Sequence, residues 1–284
     1  MVGADGTLPL PWLEAPLRQA LAHGRAHALL VHGPQGVGQF ELAIVLAQAW
    51  LCEDSARQYR PCGRCASCRL VQSHSHPDLL VLLPEALRAP LGWGSEDETA
   101  DTDKATKRKP SRDIRVDEVR RAIAFAQTTS GRGRGKVLVL HPAERLNGIA
   151  ANALLKTLEE PPGDARLVLS CAAPDALLPT IRSRCQALAL PLPDAEAASA
   201  WLAQQGIAEP AVLLGAAGGQ PQDALAWAAD GIDARTWTAL PRQIAQGDAA
   251  GLAPWPLPRV VVMLQKLCHD LVRLAAGGEP RHFP

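Results

Sequence analysis

The segment CEDSARQYRPCGRCASC places nine residues between Cys52 and Cys62, and Cys62, Cys65 and Cys68 follow at C-x-x-C-x-x-C spacing. Four thiolates close a tetrahedral shell around zinc and leave no position for a substrate, so a metal held here is structural. Thiolates also hold iron–sulfur clusters, and reduced thiols without any metal are the simpler alternative. His74 and His76 lie close by in sequence, but with four sulfurs at hand they read as packing or surface residues. Seven cysteines with four of them clustered fit metal or structural thiols better than a disulfide framework.

A second stretch, HALLVHGPQGVGQFELAIVLAQAW (27–50), runs from an apolar strand pattern into the glycines Gly33, Gly36 and Gly38 and then into a helix. That is the outline of a phosphate-binding loop, whose backbone N–H groups cradle phosphates. A working loop follows its last glycine with Lys and Ser or Thr, whereas here Gln39 and Phe40 follow Gly38. Gln brings no charge to a terminal phosphate, and Phe brings magnesium no oxygen. In VLVLHPAERL (137–146), His141 and Pro142 stand where carboxylates would hold magnesium and polarise water. Glu144 comes one turn late and reads as a solvated helix residue. With both halves of the site altered, no intrinsic ATP hydrolysis is expected.

One charged element is intact. In PTIRSRCQ, Arg184 sits between Ser183 and Cys185, just ahead of the apolar run 187–190. A forked, permanently charged guanidinium can stabilise developing phosphate charge on a neighbouring subunit, an effect worth about a thousandfold or more in rate. SGRGRGK (130–136) spaces Arg132, Arg134 and Lys136 with glycine, which suits either contact with DNA phosphates or an exposed loop. Lys156, Glu159 and Glu160 fit an interface and fit helix capping equally well.

These residues need elements to position them. A chain of 284 residues, 47% hydrophobic, supports about two domains. Lys plus Arg and Asp plus Glu are both 29, so any nucleic-acid contact rests on local patches. Helical periodicity covers 12–22 and 116–127, and NGIAANALLKTLEE ends at Pro161 and Pro162. DLLVLLP (78–84), KVLVLHP (136–142) and ARLVLSCAAP (165–174) read as strands buried on both faces, which implies a parallel α/β sheet. Residues 85–113, acidic and then basic with few apolar side chains, read as a mobile surface insertion. Beyond 191 the pattern turns helical. The N-terminus lacks a basic segment followed by a long apolar core, and no stretch reaches about 18 uninterrupted apolar residues, which predicts a cytoplasmic protein with no membrane partner.

Taken in order, GPQGVGQ, the four-cysteine insertion after its helix, AANALLKTLEEPP and TIRSRCQ resemble the delta-prime subunit family of the bacterial DNA polymerase III clamp loader, within the AAA+ superfamily. The resemblance implies an AAA+ α/β domain over 1–191 with a zinc module at 52–68, a small helical lid domain at 192–230 and the start of a helical collar domain at 231–284. It implies zinc on Cys52, Cys62, Cys65 and Cys68, and it gives Arg184 a role in trans at the ATP site of an adjacent motor subunit. The implied partners are gamma/tau-type motor subunits that bind the ATP, a delta-type clamp-opening subunit, the sliding clamp and primer-template DNA, in the bacterial cytoplasm at the nucleoid. Such a chain helps load the clamp without hydrolysing ATP itself. The alternatives are a hydrolysing motor subunit of the same complex and a zinc-dependent DNA-binding module.

Overall fold

In the computed structural model, which describes residues 1–22, 26–56, 60–94 and 109–284, the apolar runs become β1 (Ala28–His32), β2 (Leu79–Leu82), β3 (Val137–Leu140), β4 (Arg166–Cys171) and β5 (Gln186–Ala189). They form one parallel sheet in the order β2-β3-β4-β1-β5. Among the described residues these α-helices accompany them: α1 (Glu14–Ala22), α2 (Gln39–Leu51), α3 (Ala66–Gln72), α4 (Glu85–Arg88), α5 (Val116–Gln127), α6 (Gly148–Glu159) and α7 (Pro179–Arg182).

Side chains alternate along each strand. Leu138, Leu140, Leu167 and Leu169 join Val119 of α5 and Leu154 and Leu158 of α6 in one core cluster. α2 packs against β1, β3 and β4, and it is buried nearly throughout, as its almost wholly apolar sequence requires. β3 is fully buried and β4 nearly so, as expected for parallel strands covered on both faces. The run at 78–84 departs from that expectation. β2 is an edge strand of the sheet, and in it only Leu82 is buried. The composition of the run reports a strand but not its place at the sheet's border. The insertion expected at 85–113 opens with α4, where Glu85 accepts a hydrogen bond from the Ser111 N–H at 2.7 Å. Its centre, 95–108, lies outside the described residues.

The chain divides into two units, Met1–Pro34 with Gly38–Leu190 and Gln35–Val37 with Pro191–Pro284. The second unit is helical: α8 (Ala195–Gln204), α9 (Pro210–Ala216), α10 (Pro221–Ala229), α11 (Ala234–Ala245) and α12 (Leu257–Ala275). It holds together across residue 230, where the sequence suggested a boundary. Trp237 of α11 is fully buried. It stacks on Phe283 at 4.7 Å, lies 5.3 Å from Trp227 of α10 and donates its indole N–H to the His282 carbonyl at 2.8 Å. Asp270 of α12 fixes the same tail by accepting from the N–H groups of His282 and Phe283 at 2.6 and 2.9 Å. Among the described residues no helix is long and apolar enough to cross a membrane.

Candidate functional site

The glycine loop lies between β1 and α2, at the C-terminal end of a central strand, where open parallel sheets bind ligands. Gly38 adopts φ +101° and leads directly into α2. That left-handed conformation favours glycine, and a Cβ there would stand 2.3 Å from Leu10 Cδ1 and push that side chain aside. Gln39, buried at the first position of α2, turns its amide back on the loop. Its Nε2 donates to the Gly33 carbonyl at 2.8 Å and also to the Pro34 carbonyl. The position that carries a phosphate-seeking lysine in a working loop is thus spent on the loop's own backbone.

Phe40 and His141 occupy the neighbouring positions. Their rings lie 4.9 Å apart, Trp93 meets Phe40 edge-on at 6.4 Å, and His74 stacks on Trp93 at 3.9 Å. Burial lowers the His141 pKa to about 4, with Nδ1 placed 3.0 Å from Ser170 Oγ, so the ring is neutral at physiological pH. An uncharged imidazole therefore stands at the tip of β3, where magnesium chemistry asks for an anion. Glu144 is not the solvated helix residue its spacing suggested. It accepts from the Ala172 N–H at 3.0 Å just past β4, and its other carboxylate oxygen is buried without a hydrogen-bond partner among the described residues.

The four cysteines converge as their spacing predicts. Cys52 follows α2, Cys65 caps α3 and Cys68 lies in its first turn. All four sulfurs lie within 4.8 Å of one another, with Cys52 to Cys65 at 3.9 Å and Cys62 to Cys68 at 4.0 Å. Four sulfurs bound at about 2.3 Å stand a little under 4 Å apart in a tetrahedron, so the donor set fits zinc. The N–H groups of Cys65 and Cys68 point at the sulfurs of Cys62 and Cys65, each at 3.4 Å, and support negative charge there. Burial pushes the Cys52 and Cys68 thiols up. At Cys62 burial acts the same way but is outweighed by N–H groups of Arg64 and Cys65 and by the neighbouring thiols, which hold it at about 7. His76 is not a ligand: its Nε2 lies 2.7 Å from Ser67 Oγ and its Nδ1 accepts from the Asp78 N–H at 3.0 Å, an inner brace for the cysteine loop.

Arg184 follows α7. Its Nε donates to Glu159 Oε1 at 2.6 Å and its Nη1 to the Thr180 carbonyl at 2.9 Å, and Nη2 pairs with the same carboxylate. The guanidinium is about a third exposed. Ser183 closes the turn onto the Thr180 carbonyl at 3.2 Å, and Cys185 packs against the core, where burial pushes its thiol up to about 12. Nothing local in the sequence pairs Glu159 with Arg184; only the fold brings the end of α6 beside the turn after α7.

The glycine-spaced basic stretch does not present three equivalent charges. Arg132 pairs with Glu53 at 2.6 Å. Lys136 is buried, 2.9 Å from Asp78 and 4.4 Å from the Phe125 ring centre. Asp78 also accepts from Ser130 Oγ and from the N–H groups of Gly131 and Arg132, at 2.9, 2.7 and 2.9 Å. Among the described residues, Arg134 alone of the three basic residues of this stretch forms no ion pair.

A five-stranded parallel sheet with a phosphate-type loop after β1 and a four-cysteine module after α2 defines an α/β protein of the P-loop type, with the architecture expected of an AAA+ domain. The chain belongs to the family described as DNA polymerase III, delta subunit, whose family model matches residues 13–194. It is 41% identical over 216 residues to the DNA polymerase III subunit delta' of Pseudomonas aeruginosa, which covers 74% of this chain and 58% of that protein. It is 37% identical over 196 residues to the subunit delta' of Yersinia pestis, covering 68% of this chain and 51% of the relative. The chain thus spans between half and three fifths of the length of these curated relatives. A gamma subunit-related DNA polymerase III protein of Thermotoga maritima is similar at 22% identity and a TM-score of 0.41, covering 64% of this chain and 47% of that structure.

Proposed function

We propose that the chain acts as a delta-prime-type subunit of the DNA polymerase III clamp loader, helping to place the sliding clamp on primed DNA without turning over ATP itself. The observation that carries this reading is the pairing of Gln39 with its own loop beside the Phe40–His141 contact, which leaves neither a cation for phosphate nor an oxygen for magnesium. Zinc on Cys52, Cys62, Cys65 and Cys68 stiffens the segment after α2 and takes no part in chemistry. Arg184 is the group offered to a neighbour: it is partly exposed, and Glu159 and the Thr180 carbonyl hold it in place. The partners are motor subunits that bind and hydrolyse ATP, a clamp-opening subunit, the clamp and primer-template DNA.

The test is DNA- and clamp-stimulated ATP hydrolysis by a ring reconstituted with this chain, wild type against Arg184→Ala. The expected result is loss of one site's share of turnover with assembly intact. Unchanged turnover in an assembled ring refutes the arginine finger, and ATP hydrolysis by the isolated chain refutes the non-hydrolysing role.

A further inference from the structure

The opposite end of the same sheet carries an opening that the proposed function leaves unused. It lies at the N-terminal ends of β1, β3 and β4 as a cavity of about 510 Å³ open to solvent, lined by Trp50, Arg60, Arg134, Asp164 and Arg166 among others. Three guanidinium groups thus face one carboxylate.

Among the described residues their charges are answered only in part, by Asp164. Arg60 donates from Nε to the Asp54 carbonyl at 2.8 Å, which orients the fork without neutralising it. Arg166 lies over the Trp50 ring at 5.0 Å, and neither it nor Arg134 forms an ion pair among the described residues. Burial lowers the Arg166 pKa, and Asp164 offsets this only in part. A half-buried guanidinium that is short of water and only partly offset by a carboxylate stabilises an incoming anion more than an exposed one does. The contrast with adjacent positions is internal to the chain: Arg132 and Lys136, two residues either side of Arg134, have Glu53 and Asp78 as partners. Among the described residues, the fold thus pairs Arg132 and Lys136 and forms no ion pair with Arg60, Arg134 or Arg166 at this opening. Forked guanidiniums match the oxygens of phosphate in particular.

We propose that this opening binds a phosphate monoester or diphosphate group, gripped by Arg134 and Arg166 with Arg60 at its edge, at a site separate from the glycine loop. Such a group is carried both by a free nucleotide and by the 5′ end of a nucleic-acid strand.

The experiment is calorimetric titration of the full chain with inorganic pyrophosphate. Saturable binding is expected, weakened about tenfold or more by Arg134→Gln and by Arg166→Gln, since each removes a charge-assisted contact. Arg132→Gln, outside the opening, leaves it unchanged. Arg134 lies on a surface loop, so its variant keeps the proposal testable even if Arg166→Gln fails to fold, and thermal melting checks both. Two further arms separate the sources: dAMP against a 5′-phosphorylated oligonucleotide, with the same strand bearing a 5′-hydroxyl as its control. Tight binding confined to the phosphorylated strand assigns the site to a strand end, and equal binding of dAMP assigns it to a free nucleotide. Absence of saturable pyrophosphate binding, or binding that survives Arg134→Gln and Arg166→Gln, overturns the proposal.

Discussion

At the C-terminal ends of β1 and β3 the sheet meets Gln39, Phe40 and His141, a self-satisfied amide and two rings in contact, while at the N-terminal ends it meets Asp78 paired with Lys136 and, beside them, three guanidiniums around an opening. The end whose sequence advertises phosphate binding has thus been filled with neutral groups. The charge has been kept at the other end, partly as a buried ion pair and partly unpaired. A glycine loop describes backbone shape, and here the side chain that follows it is turned inward on that backbone.

The sharpest way to break this comparison is at Asp78. Replacing it with Ala strips a buried lysine of its partner and leaves three further donors unanswered, and should cost about 3–5 kcal/mol in urea denaturation. A cost under about 1 kcal/mol would mean that Lys136 escapes to water and that this end is not held by charge. Phe40→Ala at the opposite end removes a largely buried ring and should cost about 3 kcal/mol. A larger loss in Phe40→Ala than in Asp78→Ala would reverse the energetic contrast between the ends.

Acid sharpens the same point. Burial acts to raise the Asp78 pKa, but the Gly131 N–H, Lys136, Ser130 and the Arg132 N–H outweigh it and hold the group at about 2. A carboxylate depressed in the folded state contributes stability that is complete above its unfolded pKa of about 4 and is lost as pH falls toward about 2. Wild type should therefore lose stability through that window, whereas Asp78→Asn, weaker at neutral pH, should show a shallower decline. Parallel declines would assign acid sensitivity to other carboxylates.

Restoring the conventional residues with Gln39→Lys and Phe40→Ser together is expected to bring magnesium-dependent ATP binding, measurable by titration, with no phosphate release, because His141 and Pro142 still supply no carboxylate. Phosphate release by this variant would show that the tip of β3 is not what limits the site. The smallest effect expected is that of Glu159→Gln. The pair with Arg184 is partly exposed and should contribute no more than about 1 kcal/mol to stability, while ring turnover should change through the freed guanidinium. Turnover reduced as far as by Arg184→Ala would make Glu159 a positioning residue.

The first four strands, their parallel pairing and the cysteine cluster were legible in the sequence because each has a short-range signature, such as the all-apolar runs Val137–Leu140 and Leu167–Leu169 and the C-x-x-C-x-x-C spacing, whereas the run that became β5 was read only as apolar. The half-buried state of Leu79–Val81 was not, because composition carries no information about which strand ends the sheet. α9 and α11 stayed hidden within a stretch that read only as helical, since prolines at 210 and 241 punctuate it without breaking it there. Charged residues were the least legible. Arg132, Arg134 and Lys136 look alike along the chain, and only the fold assigns Glu53 to one, Asp78 to another and none to the third. Arg166 heads a buried strand, and a lone charge in that place is the one sequence hint that its end of the sheet is wet.

Gln39 is, in effect, a ligand that never leaves. Its amide is tethered to the loop it occupies, so it meets the Gly33 and Pro34 carbonyls at an effective concentration that a freely diffusing competitor does not reach. A nucleotide that entered the loop would meet, where a working loop offers a mobile cation, an amide already committed to two carbonyls. The loop's shape is therefore braced by the chain's own side chain, a part that in other glycine loops is left to the bound group.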